Sequence, residues 1–128
     1  MSPGCKLLAR ENNAKIFIEN NVALNFNVMI NADFGGKIYI KNNVIIGPNV
    51  VIRASDHIIS KDNIYRNTGH EPGTITINEN VWIASNVFIG KNVEIGANSI
   101  ISAGSVVLSN IPSNSIAMGV PARVIRKL

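Results

Sequence analysis

The chain has 128 residues, of which 46% are hydrophobic and 16% are charged, and its formal net charge is +4. This length fits one domain spanning residues 1–128, the aliphatic content excludes intrinsic disorder, and neither a signal peptide nor a membrane-spanning helix of ~20 apolar residues is expected. Basic residues are scattered singly apart from Arg123, Arg126 and Lys127, and aromatic residues are few, so nucleic acid is not an expected partner.

The N-terminal third contains a lone cysteine and the first aliphatic residues that lie six apart. Cys5 has no partner for an intrachain disulfide, which favours a reducing, cytoplasmic location. Ile18 and Leu24 are six positions apart, and the same step returns at Ile40, Ile46 and Ile52. Between Ile30 and Ile40 the step widens and includes two glycines, which predicts a small loop.

The second break in the period is much longer and contains both histidines. It runs from Ile52 to Ile77, with His57 and His70 between them. A repeat fold ejects extra residues as loops without disturbing its stack, and such loops commonly carry function. We therefore expect a loop insertion at about residues 55–74 and look for the site there first.

From residue 77 the period of six is uninterrupted. Aliphatic residues occupy one column: Ile77, Ile83, Ile89, Ile95, Ile101 and Val107. Three positions after each comes an asparagine or, once, a glycine: Asn80, Asn86, Asn92, Asn98, Gly104 and Asn110. After Asn110 the pattern ends, and a turn followed by a C-terminal cap is expected over about residues 112–128.

A period of six is neither helical nor that of a flat strand. It favours short strands separated by corners, because β-branched residues suit strands and Asn and Gly tolerate a left-handed backbone. Three such units form one triangular coil, so residues three repeats apart should stack at about the 4.8 Å sheet spacing. The predicted fold is all-β, a parallel β-helix, and the spacing alone does not give its hand. An ordinary β-sandwich does not explain several columns in phase.

Several segments resemble one enzyme family. They are Gly69-His70-Glu71-Pro72-Gly73, Val81-Trp82-Ile83-Ala84-Ser85, Ser102-Ala103-Gly104-Ser105 and Gly119-Val120-Pro121-Ala122-Arg123. They are similar to the hexapeptide-repeat acyltransferases, nearest the maltose, galactoside and polysaccharide O-acetyltransferases. The resemblance implies a left-handed β-helix, a homotrimer, acetyl-CoA as acyl donor, no metal, and active sites between subunits. It also implies that Trp82 has a structural role.

The resemblance also assigns the catalytic residues. His57 occupies the place of the family's catalytic histidine, and imidazole suits general-base work near neutral pH. Its expected role is to deprotonate the acceptor hydroxyl, which then attacks the thioester. The backbone amide of Ser85 is expected to stabilise the oxyanion. Asn31 is counted with these catalytic residues because it is expected to contact the acceptor, although asparagine is also a common corner residue in this chain. Asp33, His70 and Glu71 are expected to contact the acceptor too, and His70 is the weaker candidate for the base.

Coenzyme A is expected along a coil edge made of small residues. Ala84 and Ser102 are three repeats apart and should stack, with Ser85 and Ala103 beside them. Arg123 and Arg126 match family positions near the nucleotide end of CoA, where forked hydrogen bonds suit phosphate. Relatives often have Thr-Lys where this chain has Leu108-Ser109, so that lysine contact is missing.

Four functions are compatible with a β-helix of this kind. We expect O-acetylation of a sugar hydroxyl in a polysaccharide, glycolipid or nucleotide sugar, and N-acylation of an amino sugar or amine remains open. A short N-terminus relative to the maltose and galactoside enzymes weakly favours these acceptors over a free disaccharide. A γ-type carbonic anhydrase needs three zinc-binding histidines, and this chain has two. The fourth function is that of a non-catalytic coil, either an ice-binding or a scaffold β-helix. Ice binders use threonine ladders, and three threonines argue against one here.

Overall fold

The computed structural model describes residues 1–128, nearly all of them in short strands and tight turns. The first two coils contain β1 (Lys6–Leu8), β2 (Lys15–Ile18), β3 (Ala23–Leu24), β4 (Met29–Asn31), β5 (Lys37–Ile40) and β6 (Ile45–Ile46). The third coil contains β7 (Val51–Arg53), β8 (Ser55–His57), β9 (His70–Pro72), β10 (Thr74–Ile77) and β11 (Trp82–Ile83). The remaining strands are β12 (Phe88–Ile89), β13 (Glu94–Ile95), β14 (Ile100–Ile101), β15 (Val106–Val107), β16 (Ser115–Gly119) and β17 (Ala122–Lys127).

Three sheets form the three faces of a prism. Face A consists of β1, β4, β7, β12 and β15, and face B of β2, β5, β10 and β13. Face C consists of β3, β6, β11, β14 and β16, with β17 added at its end. The chain visits faces A, B and C in turn, so the predicted parallel β-helix is confirmed. We call the corner where the chain leaves face A for face B the A–B edge, and the corner from face C to face A the C–A edge.

The register explains both breaks in the sequence period. Ile83 pairs with Ile101, which confirms the expected stacking of positions three repeats apart in the regular coils. Leu24 instead pairs with Ile46, and Ile40 pairs with Ile77, so both of these coils are longer than a regular one. Their extra residues leave the stack at the A–B edge. The longer excursion contains β8, β9 and a single 3₁₀ turn, Tyr65–Asn67, which is the only helical segment; no helix is suited to cross a membrane.

Asparagine makes the corners, as the repeat predicts. Eight asparagines at the three-residue offset of the repeat have φ between 57° and 65°: Asn21, Asn27, Asn43, Asn49, Asn80, Asn86, Asn92 and Asn98. Asn110 does not join them, whereas Asn114 does, with φ of 57°. The last coil is shorter than the regular ones, because Ile95 pairs with Ile111 and the Asn98 side chain bonds that of Asn114. The segment expected to cap the stack therefore contributes one more parallel strand, β16, before β17 folds back antiparallel on it.

The inside of the prism is a single apolar column. Its 24 buried hydrophobic residues are mostly isoleucine and valine, and Ile30, Ile52 and Ile89 are fully buried. Burial of this apolar surface is the main favourable contribution to the stability of the stack. At the N-terminal end no coil covers the first one, so Leu7 and Ile18 point toward the axis and remain partly exposed.

The outer surfaces of the three faces differ in polarity. Side chains alternate across a strand, so the neighbours of inward residues point outward. On face C the outward residues of the central column are aliphatic or aromatic: Ile45, Trp82, Ile100 and Ile116. Face A presents Met29, Val51, Phe88 and Val106 in the same way. Face B is polar beyond its first coils, with Lys37, Thr74, Thr76 and Glu94 outward.

Candidate active site

His57 and His70 lie opposite each other in an antiparallel hairpin at the A–B edge. β8 carries His57, β9 carries His70, and the two residues are direct cross-strand partners. Their ring centroids are 4.4 Å apart, with the planes inclined at 38°. His57 is exposed and His70 is half-buried. The hairpin thus pairs the only two imidazoles of the chain at a surface where a ligand can reach them.

An aromatic ring supports this pair from below. Phe34 lies flat against His70, with ring centroids 3.6 Å apart and planes 5° from parallel. Phe34 has a φ of 63°, which is uncommon for a bulky residue, and its N–H donates to the carbonyl oxygen of Arg10. Backbone strain of this kind occurs preferentially at functional sites, where the surrounding contacts hold it in place.

Asp33, next to Phe34, is the centre of a hydrogen-bond network. Its carboxylate accepts bonds from the Arg10 guanidinium, the shortest at 2.7 Å, and from the Arg10 backbone N–H at 2.7 Å. The side-chain hydrogen bonds from Arg10 lower the pKa of Asp33, although burial of the carboxyl acts in the opposite direction. The Asp33 carbonyl oxygen also accepts a bond from Ser55 Oγ at 2.9 Å. The network therefore ties the first coil, the second coil and the start of the histidine hairpin together.

Asn31 and Arg53 lie side by side at the end of face A. They are cross-strand partners on β4 and β7, and both are half-buried. Asn31 Oδ1 accepts the N–H of Asp33 at 2.9 Å, which leaves its Nδ2 group free to donate to a ligand. Arg53 Nε donates to the carbonyl oxygen of Ser55 at 3.0 Å.

Glu71 lies on the side of the hairpin opposite to the imidazoles. It pairs across the strands with Asp56, between the His57–His70 and Ser55–Pro72 pairs, so its side chain points the other way. Its carboxylate forms an ion pair with Lys91 at 3.2 Å. Of the four residues expected at the acceptor, Asn31, Asp33 and His70 belong to one network with His57, whereas Glu71 faces the fourth coil.

The small residues expected to contact CoA stack at the C–A edge. The register of β6, β11 and β14 places Ala84 between Gly47 and Ser102, and Ser85 between Pro48 and Ala103. A Cβ atom at Gly47 would lie 2.9 Å from both the Ala84 carbonyl carbon and the Ser85 nitrogen. The absence of that side chain is what allows the two coils to approach at this edge.

The backbone N–H of Ser85 donates to no group within the chain. The same is true of Lys91, Ala97 and Ala103, which occupy the same position of other corners. A free amide is therefore a general property of these corners. Ser85 and its stacked neighbour Ala103 differ from Lys91 and Ala97 in lying on the C–A edge, beside the other small residues.

Arg123 and Arg126 extend from β17 at the C-terminal end of face C. Both are exposed, and neither forms an ion pair. Arg123 Nη1 donates only to the carbonyl oxygen of Ala122, at 3.0 Å. Their guanidinium groups are available to an external anion.

Within one chain the two sets of residues are apart. His57, His70, Asn31 and the Asp33 network lie at the A–B edge, whereas Ser85 and the small residues lie at the C–A edge. The width of face A separates them, roughly 15 Å at ~3.3 Å per strand residue. The two sets of residues that the sequence predicts to act together are therefore not brought together by a single copy.

Sequence reasoning missed four residues of this arrangement: Arg10, Phe34, Gly47 and Arg53. Arg10 bonds Asp33 at a sequence separation of 23, close to the 22 that relates stacked asparagines in the lengthened coil. Recognition of a coil before Ile18 would have predicted that contact. Phe34 precedes two glycines in a break of the repeat, and nothing in the period indicates its stacking.

Comparisons with known proteins give a consistent result. Residues 74–109 match the family described as bacterial transferase hexapeptide (six repeats). No curated protein sequence matches the chain significantly. No group of three or more His, Cys, Asp or Glu side chains is arranged to hold a metal ion.

Solved structures match over the whole chain. A hexapeptide-repeat acetyltransferase of Vibrio cholerae O1 biovar eltor, complexed with acetyl coenzyme A, is 31% identical with a TM-score of 0.87, covering 100% of this chain and 67% of that one. A galactoside acetyltransferase in complex with coenzyme A is 38% identical with a TM-score of 0.85, covering 99% of this chain and 60% of that one. A maltose O-acetyltransferase from Clostridium difficile 630 is 27% identical with a TM-score of 0.64, covering 100% and 68%.

Proposed function

Because the chain belongs to the hexapeptide-repeat acetyltransferases and folds into their left-handed β-helix, we propose that it transfers the acetyl group of acetyl-CoA to a sugar hydroxyl. The V. cholerae and galactoside relatives were solved with acetyl-CoA or CoA bound, which supports the choice of donor. The reaction takes place in a reducing, cytoplasmic environment, consistent with Cys5 as a free thiol.

The chemistry needs a base, an oxyanion donor and a leaving thiol. His57 accepts the proton of the acceptor hydroxyl while its oxygen attacks the thioester carbonyl carbon. The tetrahedral oxyanion accepts a hydrogen bond from the Ser85 N–H, a contact worth ~2.7–4 kcal/mol of barrier in other acyl-transfer enzymes. Collapse of the intermediate breaks the carbon–sulfur bond, and the CoA thiolate takes the proton from His57. The products are the acetyl ester and free CoA.

The observation that carries this proposal is the imidazole pair at the A–B edge. His57 is exposed at the end of β8, and the half-buried His70 lies against it at 4.4 Å. No other side chain of this edge combines exposure with an imidazole's ability to accept and return a proton near neutral pH. His57 is therefore the base, and His70 lines the acceptor pocket.

The acceptor lies against the network around Asp33. Asn31 offers its free Nδ2 group to an acceptor oxygen, because Oδ1 is already bonded to the Asp33 N–H. The Asp33 carboxylate is engaged by Arg10, so it contributes by fixing that guanidinium and the Ser55 end of the hairpin. Glu71 contributes at the rim, where its ion pair with Lys91 holds β9 against the fourth coil.

CoA follows the C–A edge. Ala84, Ser102 and Ala103 leave room for the pantetheine arm beside the backbone, and the free N–H groups of this edge can bond its amides. Arg123 and Arg126 bind the phosphates through charge-assisted hydrogen bonds. Because the donor edge and His57 are on opposite sides of face A, the CoA used by one His57 is held by a neighbouring copy.

We therefore propose a closed homotrimer with three equivalent sites. The outer surface of face C supports self-association: Ile45 and Trp82, which are cross-strand partners on β6 and β11, are 48% and 50% exposed. Face A adds a second apolar column, and a contact between two different faces closes into a ring when the rotation permits. Neighbouring exposed apolar side chains on the outer faces of a single chain favour a protein interface.

The proposal is tested by CoA release. Purified protein is given acetyl-CoA and a panel of sugars, amino sugars and amines, and the freed thiol is measured with Ellman's reagent. We expect turnover with at least one hydroxyl acceptor. His57→Ala should lower kcat by about 10²–10⁴, the usual worth of a general base.

Two controls make the result decisive. His70→Ala removes the other imidazole and should be the milder change, and sedimentation velocity should give wild-type particles for both variants. Turnover confined to amines would replace O-acetylation with N-acylation. Unchanged activity of His57→Ala would transfer the role of base to His70.

A further inference from the structure

The Arg53 side chain of the site uses only its Nε atom in a hydrogen bond within the chain. Arg53 ends β7, and its cross-strand partner on β4 is Asn31, the proposed acceptor contact. Its Nε donates to the carbonyl oxygen of Ser55, two positions on, at 3.0 Å. This bond fixes the plane of the guanidinium at the foot of the histidine hairpin. The two terminal amino groups donate to nothing within the chain.

The guanidinium also forms no ion pair of its own, and the nearby Asp33 charge is shared with Arg10. No carboxylate lies within 4.0 Å of Arg53, although it is half-buried. An arginine removed from water in part is costly unless an anion or several acceptors pair with it. A guanidinium has five N–H donors, and four of those on Arg53 remain free in the fork geometry that suits a carboxylate or phosphate.

The surrounding carboxylates do not fill this role. Asp33 is nearest, but both of its oxygens are held by Arg10. Glu71 is paired with Lys91 on the other side of the hairpin, and Asp56, its cross-strand partner, points to that same side. The imidazole side of the hairpin therefore keeps one positive charge that the chain itself does not neutralise.

We propose that the acceptor carries an anionic group, a carboxylate or a phosphate, and that Arg53 binds it beside Asn31. The inference rests on the proposed function, because it names the acceptor class of that same site. A charged group held by Arg53 would direct a neighbouring hydroxyl toward His57. A carboxylate and a phosphate both offer a pair of oxygens to the Arg53 guanidinium, so the experiment below is designed to distinguish them.

The test compares neutral acceptors with their charged counterparts. Glucose is paired with glucuronate and with glucose 1-phosphate, and galactose with galacturonate, under one acetyl-CoA concentration. The wild-type enzyme should prefer a charged member by about tenfold to a hundredfold in kcat/KM, the usual worth of a charge-assisted hydrogen bond. Preference for the uronates or for the phosphate identifies the anion.

Two variants isolate the residue. Arg53→Gln should abolish the charged-to-neutral preference, and Arg53→Lys should restore part of it. Lys41→Gln removes one positive charge far from the hairpin, where Lys41 lies 4.0 Å from Glu19, and should keep the wild-type preference. A loss in Arg53→Gln that is equal for charged and neutral acceptors would overturn the proposal in favour of a structural brace, and a rise confined to the KM for acetyl-CoA would assign Arg53 to the donor.

A binding measurement separates this inference from the function it rests on. Saturation-transfer NMR with the same sugars, in the presence of CoA, needs no turnover. Charged sugars that bind wild-type protein but not Arg53→Gln, without acetylation, would uphold the anion site and defeat the proposed function. Acetylation of neutral sugars, with no better binding of the charged ones, would uphold the proposed function and overturn the anion site.

Discussion

Phe34 lies parallel to His70 at a centroid distance of 3.6 Å, and His70 in turn leans on His57. Phe34 of the second coil and the two imidazoles therefore form one contiguous series of rings, in which the planes of His57 and His70 are inclined at 38°. Phe34 is held in its strained backbone conformation by the bond from its N–H to Arg10. The position of the proposed base thus depends on a residue that touches no reacting atom.

Phe34→Leu should therefore lower kcat about threefold to tenfold, as expected from the loss of an aromatic pair worth ~0.5–1.5 kcal/mol. The KM for acetyl-CoA should stay within twofold, since Phe34 is not among the residues proposed to hold CoA, and Phe34→Tyr should restore the rate. Phe17→Leu is the matched control, because Phe17 stacks on Tyr39 at 5.1 Å away from the hairpin. Equal losses in both leucine variants would mean that the rings only stabilise the fold.

The Arg10–Asp33 pair predicts a pH-dependent stability. The pKa of Asp33 is lowered in the folded chain by its bonds to Arg10, so the folded state favours the charged carboxylate. This contribution is fully present above the pKa of an unfolded aspartate, about 3.9, and is lost as the pH falls through the lower folded value. Asp33→Asn should melt below wild type at pH 7, and the difference should shrink below about pH 4. Thermal melts that differ equally at pH 7 and pH 3 would contradict the assignment.

Gly47 should be intolerant of a side chain. In Gly47→Ala the new Cβ meets the backbone of Ala84 and Ser85 at 2.9 Å, so the coils at the donor edge must separate. We expect a loss of about 1–3 kcal/mol in unfolding free energy and a higher KM for acetyl-CoA. Gly90→Ala is the control: it also follows an inward isoleucine, yet the nearest atom to its Cβ belongs to the flexible Leu108 side chain, at 3.3 Å. Denaturant unfolding and steady-state kinetics should separate the two variants.

A charge on face C should disrupt the assembly. Ile45→Lys places an ammonium group in the proposed interface, where it cannot be hydrated, so sedimentation at micromolar concentration should show smaller particles and little activity. Thr76→Lys adds the same charge to polar face B and should leave the assembly intact. Identical particle sizes for both variants, whatever that size is, would place the interface elsewhere.

Loss of a basic side chain from the C-terminal strand should weaken acetyl-CoA binding and leave the chemical step unchanged. Arg126→Ala removes a guanidinium proposed to contact CoA phosphate and should raise the KM for acetyl-CoA roughly tenfold. The kcat at saturating acetyl-CoA should change little, because the phosphates do not take part in the bond changes. Lys6→Ala, at the opposite end of the prism, serves as control. A fall in kcat without a rise in KM would argue against phosphate binding.

The sequence predicts the stack of coils well because every repeat has the same two requirements. Each inward isoleucine must be buried and each corner asparagine must adopt a left-handed backbone, so Ile83 over Ile101 and the φ of Asn98 follow from local chemistry. The histidines were also predictable, since they fall in the longest break of the period. Contacts made across breaks were not: the Arg10–Asp33 bond and the Phe34–His70 stack join segments whose spacing the repeat does not fix. The shortening of the last coil near Asn110 was not predictable either, because it too falls where the period of six ends.

Both excursions leave the prism at the A–B edge, and neither changes the order of the coils above and below. The donor groove is built from the regular corners of the C–A edge, and the acceptor side is built from the irregular segments of the A–B edge. The Ser55–Pro72 hairpin could therefore be replaced by a segment of another length without changing the stacking of the coils. New acceptors become reachable through this one segment while the thioester chemistry stays unaltered.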